Sequence, residues 1–129
     1  MLTPSIHTTY LKEVLLDFGK IHIYNNFMLA EINEEIVLDM EKCAQIVNIS
    51  EIYFRHKNFA YITLRRNSYS VDPIIYLEVS HIKNLKAFAI VSSKETDYYN
   101  IKIEKHFLQK PLEIFQTVPE AIAWVETIL

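Results

Sequence analysis

This sequence predicts an α/β fold built on a mixed sheet, and three observations carry the prediction. From Asp39 onward, short β-forming runs alternate with longer segments of helical periodicity. Residues 11–32 are instead strand-like throughout, with a turn signal inside them. Phe59-Ala-Tyr-Ile-Thr-Leu64 is an apolar, β-forming run, short enough for a central strand.

The elements follow in order. The first ten residues carry Pro4, Ser5 and three threonines without periodicity and read as a loose lead-in, leaving one domain over 11–129. Ile21 and Ile23 alternate with His22 and Tyr24, and Phe27 and Leu29 alternate with Met28 and Ala30. Asn25-Asn26 between them suits a two-residue hairpin turn, because Asn tolerates the left-handed conformation such turns need. Residues 14–18 extend the first strand, and Gly19, the only glycine, marks a bulge or bend.

Asn33-Glu34-Glu35 breaks the strand pattern. A helix is predicted from about Asp39 to about His56, with Met40, Cys43, Ala44 and Val47 on one face and Ile46 and Tyr53 broadening it. Asp39 suits the positive end of its dipole. Arg55-His-Lys-Asn58 makes a basic exit to the central strand.

After that strand comes a polar turn, residues 65–72. Pro73 fits the first turn of a helix running to about Ile82, with Ser70 or Asp72 able to cap it. Residues 86–91 are the next strand. Ser92-Ser-Lys-Glu95 has the spacing of a capping box for a helix over 94–108, where Tyr99, Ile103 and Phe107 form one stripe. A last strand spans 112–115, and Thr117-Val-Pro-Glu120 is a second capping box, opening a final helix to Leu129. The order is β-β-α-β-α-β-α-β-α: a mixed sheet of about five strands with about four helices, mostly parallel after an antiparallel hairpin.

Composition limits the function. The chain has 129 residues, 50% hydrophobic and 12% aromatic, enough for one core without staples and too apolar for disorder. With 13 basic and 16 acidic residues the formal charge is −3, which argues against a broad nucleic-acid footprint. Cys43 is the one cysteine, so no internal disulfide forms, and its apolar periodic setting makes it a core residue. No leader opens the sequence and no run approaches the roughly 20 apolar residues of a membrane span, so the cytoplasm is the expected compartment.

Chemical motifs are mostly absent. His7, His22, His56, His81 and His106 are scattered without i, i+4 spacing, so no metal is expected. A single glycine excludes the Walker loop and the dinucleotide fingerprint, and no serine has the flanking glycines of a nucleophile elbow. No cofactor and no complete catalytic set is expected. Glu34 and Glu35 read as a solvated approach to a helix, and Tyr98, Tyr99 and Trp124 as core and rim, with a small apolar pocket as the alternative.

The stretch that remains is the turn. Arg65, Arg66, Asn67, Ser68, Tyr69, Ser70 and Asp72 gather where a strand ends and a helix begins, a place suited to an anion or a partner. The plainer reading is that Ser70 caps the helix, Tyr69 packs, and Arg65 and Arg66 pair with surface acids.

The element order and the tail Lys110-Pro-Leu-Glu-Ile-Phe-Gln-Thr-Val-Pro-Glu-Ala-Ile-Ala-Trp-Val125 resemble the STAS domain superfamily of sulphate transporters and anti-sigma-factor antagonists. The likeness covers roughly residues 14–129 and is greatest to the small stand-alone STAS-like proteins of bacteria. In anti-sigma antagonists the turn after the central strand carries a phosphorylatable serine in an Asp-Ser-Ser-Gly or Asp-Thr-Ser-Gly setting. Here the place reads Arg66-Asn-Ser-Tyr-Ser-Val71, with Ser68 and Ser70 near the position but without the acid or the glycine.

The resemblance implies a non-enzymatic regulatory module that presents the 65–72 turn and the next helix to a protein partner, with Ser68 or Ser70 as the phosphorylation candidates. It also allows a homodimer. The alternative is a small apolar-ligand or lipid carrier, motivated by 8 tyrosines and 7 phenylalanines. An enzyme using Arg65, Arg66 and a nearby histidine is the third reading.

Overall fold

The computed structural model describes residues 9–65 and 70–129. Its strands are β1 (Tyr10–Leu16), β2 (Gly19–Tyr24), β3 (Phe27–Ile32), β4 (Val37–Leu38), β5 (Phe59–Leu64), β6 (Ser70–Val71), β7 (Leu85–Val91) and β8 (Leu112–Phe115). The helices are α1 (Met40–Phe54), α2 (Ile74–Val79), α3 (Glu95–Phe107) and α4 (Val118–Ile128). The main sheet has the order β1-β2-β3-β5-β7-β8, antiparallel through β3 and parallel beyond it.

The mixed α/β architecture predicted from the sequence is the observed one, with one more strand in the main sheet. The run expected to form a single first strand turns back at Asp17-Phe18, so an antiparallel meander of three strands replaces the hairpin. Phe18 is buried in that turn, and Gly19 opens β2. A Cβ at Gly19 would collide with the Glu31 carbonyl oxygen, and its φ is 157°. The glycine is there for a close backbone approach. Asn25-Asn26 does join two strands, as expected. The lead-in is shorter than expected, since Tyr10 already pairs with Tyr24; residues 1–8 lie outside the described residues.

The two faces of the sheet are built differently. α1, α2 and α3 cover one, packing Cys43, Ile46, Phe54, Tyr76 and Ile101 against large strand residues such as Ile21, Met28, Tyr61 and Phe88. α4 covers part of the other alone, where Ala60, Ala87 and Ala89 meet Ala121 and let the helix sit close. β5, buried at all six positions, is the central strand.

Three helices differ in detail from the sequence reading. Asp39 caps α1, accepting from the Lys42 N–H at 3.0 Å, and that bond holds its carboxyl below the ordinary value. The buried face of α1 is Cys43, Ile46, Ile49, Ser50 and Phe54, while Met40 and Ala44 are exposed. α2 is short, ending at Val79 rather than Ile82. The Ser92 capping box does not form. Lys94 holds the cap position of α3, and Ser92 Oγ accepts from its N–H at 3.0 Å. Thr117 caps α4 as predicted, its Oγ1 accepting from the Glu120 N–H at 3.3 Å, but the Glu120 carboxylate accepts from the Thr117 hydroxyl at 2.8 Å in place of the backbone N–H of a full capping box.

Candidate functional site

Arg65 leaves the end of β5 with its N–H still bonded to the Val91 carbonyl at 2.9 Å, continuing the ladder to β7. That register sends its side chain toward the helices. Nη2 donates to Glu104 Oε1 on α3 at 2.8 Å and to the Tyr76 hydroxyl on α2 at 3.1 Å. Nη1 lies 3.7 Å from Asp97 Oδ1. The Tyr76 hydroxyl donates in turn to Glu104 Oε1 at 2.6 Å. Ser92 donates to Asp97 Oδ2, which links the end of β7 to the same cluster.

Only 9% of the Arg65 side chain is exposed, against 14% for Glu104 and 17% for Asp97. One cation thus faces two carboxylates in a nearly dry setting, and Glu104 Oε2 is buried without a hydrogen-bond partner among the described residues. Charge-assisted bonds of this kind are strong and directional. The guanidinium is turned inward and joins β5, β7, α2 and α3 at the carboxyl ends of the strands.

The outer layer of this end is apolar. β4 and β6 form a two-residue parallel ladder, Val37 opposite Ser70 and Leu38 opposite Val71, and the Asp72 N–H donates to the Leu38 carbonyl at 3.2 Å. Leu38 and Val71 face inward. Val37 is 56% exposed, Met40 41%, Ile74 48% and Leu77 36%. Four large apolar side chains therefore lie on solvent-facing positions of β4, α1 and α2.

The residues singled out by sequence fall into three groups. Arg65 is in the buried cluster. Asp72 is exposed, and its Oδ1 accepts from the Ile74 N–H at 3.1 Å, fixing the start of α2, whose N-cap position is held by Pro73. Arg66, Asn67, Ser68 and Tyr69, and the side chain of Ser70, lie outside the described residues. Sequence reasoning missed Tyr76, Asp97 and Glu104. The available signal was an arginine ending a buried strand, which needs acids on whichever helix crosses it, and Asp97 and Glu104 share a helix face with Ile101 at i, i+4 and i+7.

Beside the cluster, Arg65, Ser92, Ser93, Gln116 and Thr117 line a half-open recess of about 260 Å³. An acid–base chain exists elsewhere, on the sheet face that α4 leaves open. His22 Nε2 lies 2.7 Å from Glu31 Oε2, and Nδ1 lies 3.3 Å from the Tyr10 hydroxyl. A carboxylate only accepts, so in the neutral ring Nε2 carries the proton and Nδ1 accepts from Tyr10. Among the described residues no group of three or more His, Cys, Asp or Glu is placed to hold a metal. No helix among them is long and apolar enough to cross a membrane.

No protein-family model and no curated protein sequence matches this chain. A solved structure does: an uncharacterised protein of the DUF3478 family with a SpoIIAA-like fold, from Shewanella loihica PV-4. The two superpose with a TM-score of 0.59 over 95% of this chain and 98% of the other, at 11% sequence identity. At that identity the likeness is one of fold, and it agrees with the STAS-like architecture read from the sequence.

Proposed function

We propose that this protein is a non-enzymatic interaction module that docks a protein partner over the turn after β5 and over α2. The observation that carries this reading is the exposure of Val37, Met40, Ile74 and Leu77 on β4, α1 and α2. Large apolar residues grouped on one surface are the usual core of a protein interface. Beneath them the Arg65–Glu104–Tyr76 bonds give a rigid floor, so the apolar side chains are presented on a fixed frame. The SpoIIAA-like fold supports the same reading, because the turn lies at the carboxyl end of a central strand.

Ser68 and Ser70 are the residues through which such docking is switched. A phosphate on either adds about two negative charges to an apolar contact and weakens it. Co-purification from the native host tests the reading. Ile74→Asp and Leu77→Asp are expected to lose the partner and Ser70→Asp to weaken it, while Ile52→Asp on the outer face of α1 retains it. Recovery of no partner, or of one that Ile74→Asp keeps, refutes the surface. Intact mass of the native protein without a phosphorylated species refutes the switch.

A further inference from the structure

At the other end of the sheet, an apolar recess and a more polar one lie side by side. The inner one is a half-open apolar chamber of about 50 Å³ between α1, α2 and the sheet, with walls that include Cys43, Ile46, Tyr61, Val79 and Leu85. The outer one is a half-open recess of about 420 Å³. Val47, Ser50, Phe59 and Ile82 line both, so the chamber and the recess adjoin. The recess carries Arg55, His81 and Lys83 against one carboxylate, Glu51.

The end of α1 lies at this mouth, and its carbonyls would ordinarily repel an anion. Asn84 removes that obstacle. Its Nδ2 donates to the Phe54 carbonyl at 2.6 Å and to the Arg55 carbonyl at 2.8 Å. The mouth thus presents cations without a bare helix terminus, and the interior presents hydrocarbon.

We propose that this site binds an anionic amphiphile, a medium-chain fatty carboxylate, with its methyl end in the inner chamber and its carboxylate among Arg55, His81 and Lys83. The chamber is small, about 50 Å³, and takes only the methyl end of the chain. The rest of the chain lies along Val47, Phe59 and Ile82, where each buried methylene is favourable by about 0.8 kcal/mol. A long acyl chain finds no continuous bore, so chain length is limited. The site uses none of Val37, Met40, Ile74 and Leu77, so Ile74→Asp on one side and the Arg55 and Lys83 variants on the other test the two proposals separately.

Decanoate titrated into the intact protein and followed by amide NMR tests the site, with decyltrimethylammonium as the control of opposite charge. Decanoate is expected to shift the amides of Val47, Ser50, Phe59 and Ile82, and decyltrimethylammonium to leave them in place. Arg55→Glu with Lys83→Glu, both at exposed positions, is expected to weaken decanoate at least tenfold. Val79→Trp, which fills the chamber, is expected to abolish binding. Unmoved amides at millimolar decanoate, equal response to both detergents, or full affinity in the charge-reversed variant would each overturn the assignment.

Discussion

Arg65 Nη2 lies 2.8 Å from Glu104 Oε1, tying the end of the central strand to a helix 39 residues further along the chain. The bond is made where both side chains are largely withdrawn from water. Removing one partner of such a pair strands the other, at a cost of about 3–5 kcal/mol. Arg65→Ala is expected to lose that much in urea denaturation. Arg65→Ala with Glu104→Ala is expected to lose less than the sum of the single changes. A loss under about 1 kcal/mol for Arg65→Ala would contradict the role assigned to this contact.

The orientation of α3 gives a second expectation. Its inward residues are Asp97, Ile101 and Glu104, while Tyr99 is 79% and Ile103 55% exposed. Ile101→Ala is expected to destabilise by about 2–4 kcal/mol, as core truncations do. Tyr99→Ser and Ile103→Ser should each stay within about 0.5 kcal/mol of wild type, the range for surface changes. The reverse ranking in thermal melts would mean that α3 is turned the other way.

Gly19 offers a third. Its φ of 157° and the Glu31 carbonyl beside it leave no place for a side chain. Gly19→Ala is therefore expected to cost about 2 kcal/mol or more, through backbone strain and loss of the β2–β3 approach. A variant as stable as wild type in urea would show that the strands separate there at little cost.

The thiol of Cys43 gives a pH-dependent test. Desolvation among α1, α2 and the sheet pushes it from 9.0 up to about 11. Below about pH 9 the folded and unfolded thiols are both protonated. Between pH 9 and about 11 the unfolded thiol ionises first, so the folded state loses stability as pH rises. Wild type should fall faster than Cys43→Ala across that window in urea titrations. A thiol reagent at pH 8 should label the native protein much more slowly than the unfolded chain.

Much of the frame was legible in the sequence because it rests on local signals. Asp39 and Thr117 cap their helices, and the all-apolar 59–64 run is the central strand. Three features were not legible, each for a physical reason. β4 and β6 have two residues each, too few to show a period. Of the apolar stripe expected on α3, Phe107 packs against the core but Tyr99 and Ile103 face solvent, because the face toward the sheet also carries Asp97 and Glu104, whose partner Arg65 is distant in sequence. The extra turn at Asp17-Phe18 hid because Phe18, an apolar residue, was read as strand. The candidate turn was found by its composition, but the partners of Arg65 come from two later helices and depend on the tertiary fold.

β3 has a different kind of neighbour on each edge. On one side it pairs with β2 across the Asn25-Asn26 turn, and on the other with β5, which the chain reaches only after α1. Loop closure makes the first pairing fast and the second slow. The order of folding is therefore expected to follow the sheet from its antiparallel edge. In pulse-labelled hydrogen exchange, amides of β1–β3 should gain protection before those of β5, β7 and β8, with β3 the seam on which the slower half is assembled. Simultaneous protection of all six strands would mean that the sheet closes as one cooperative unit.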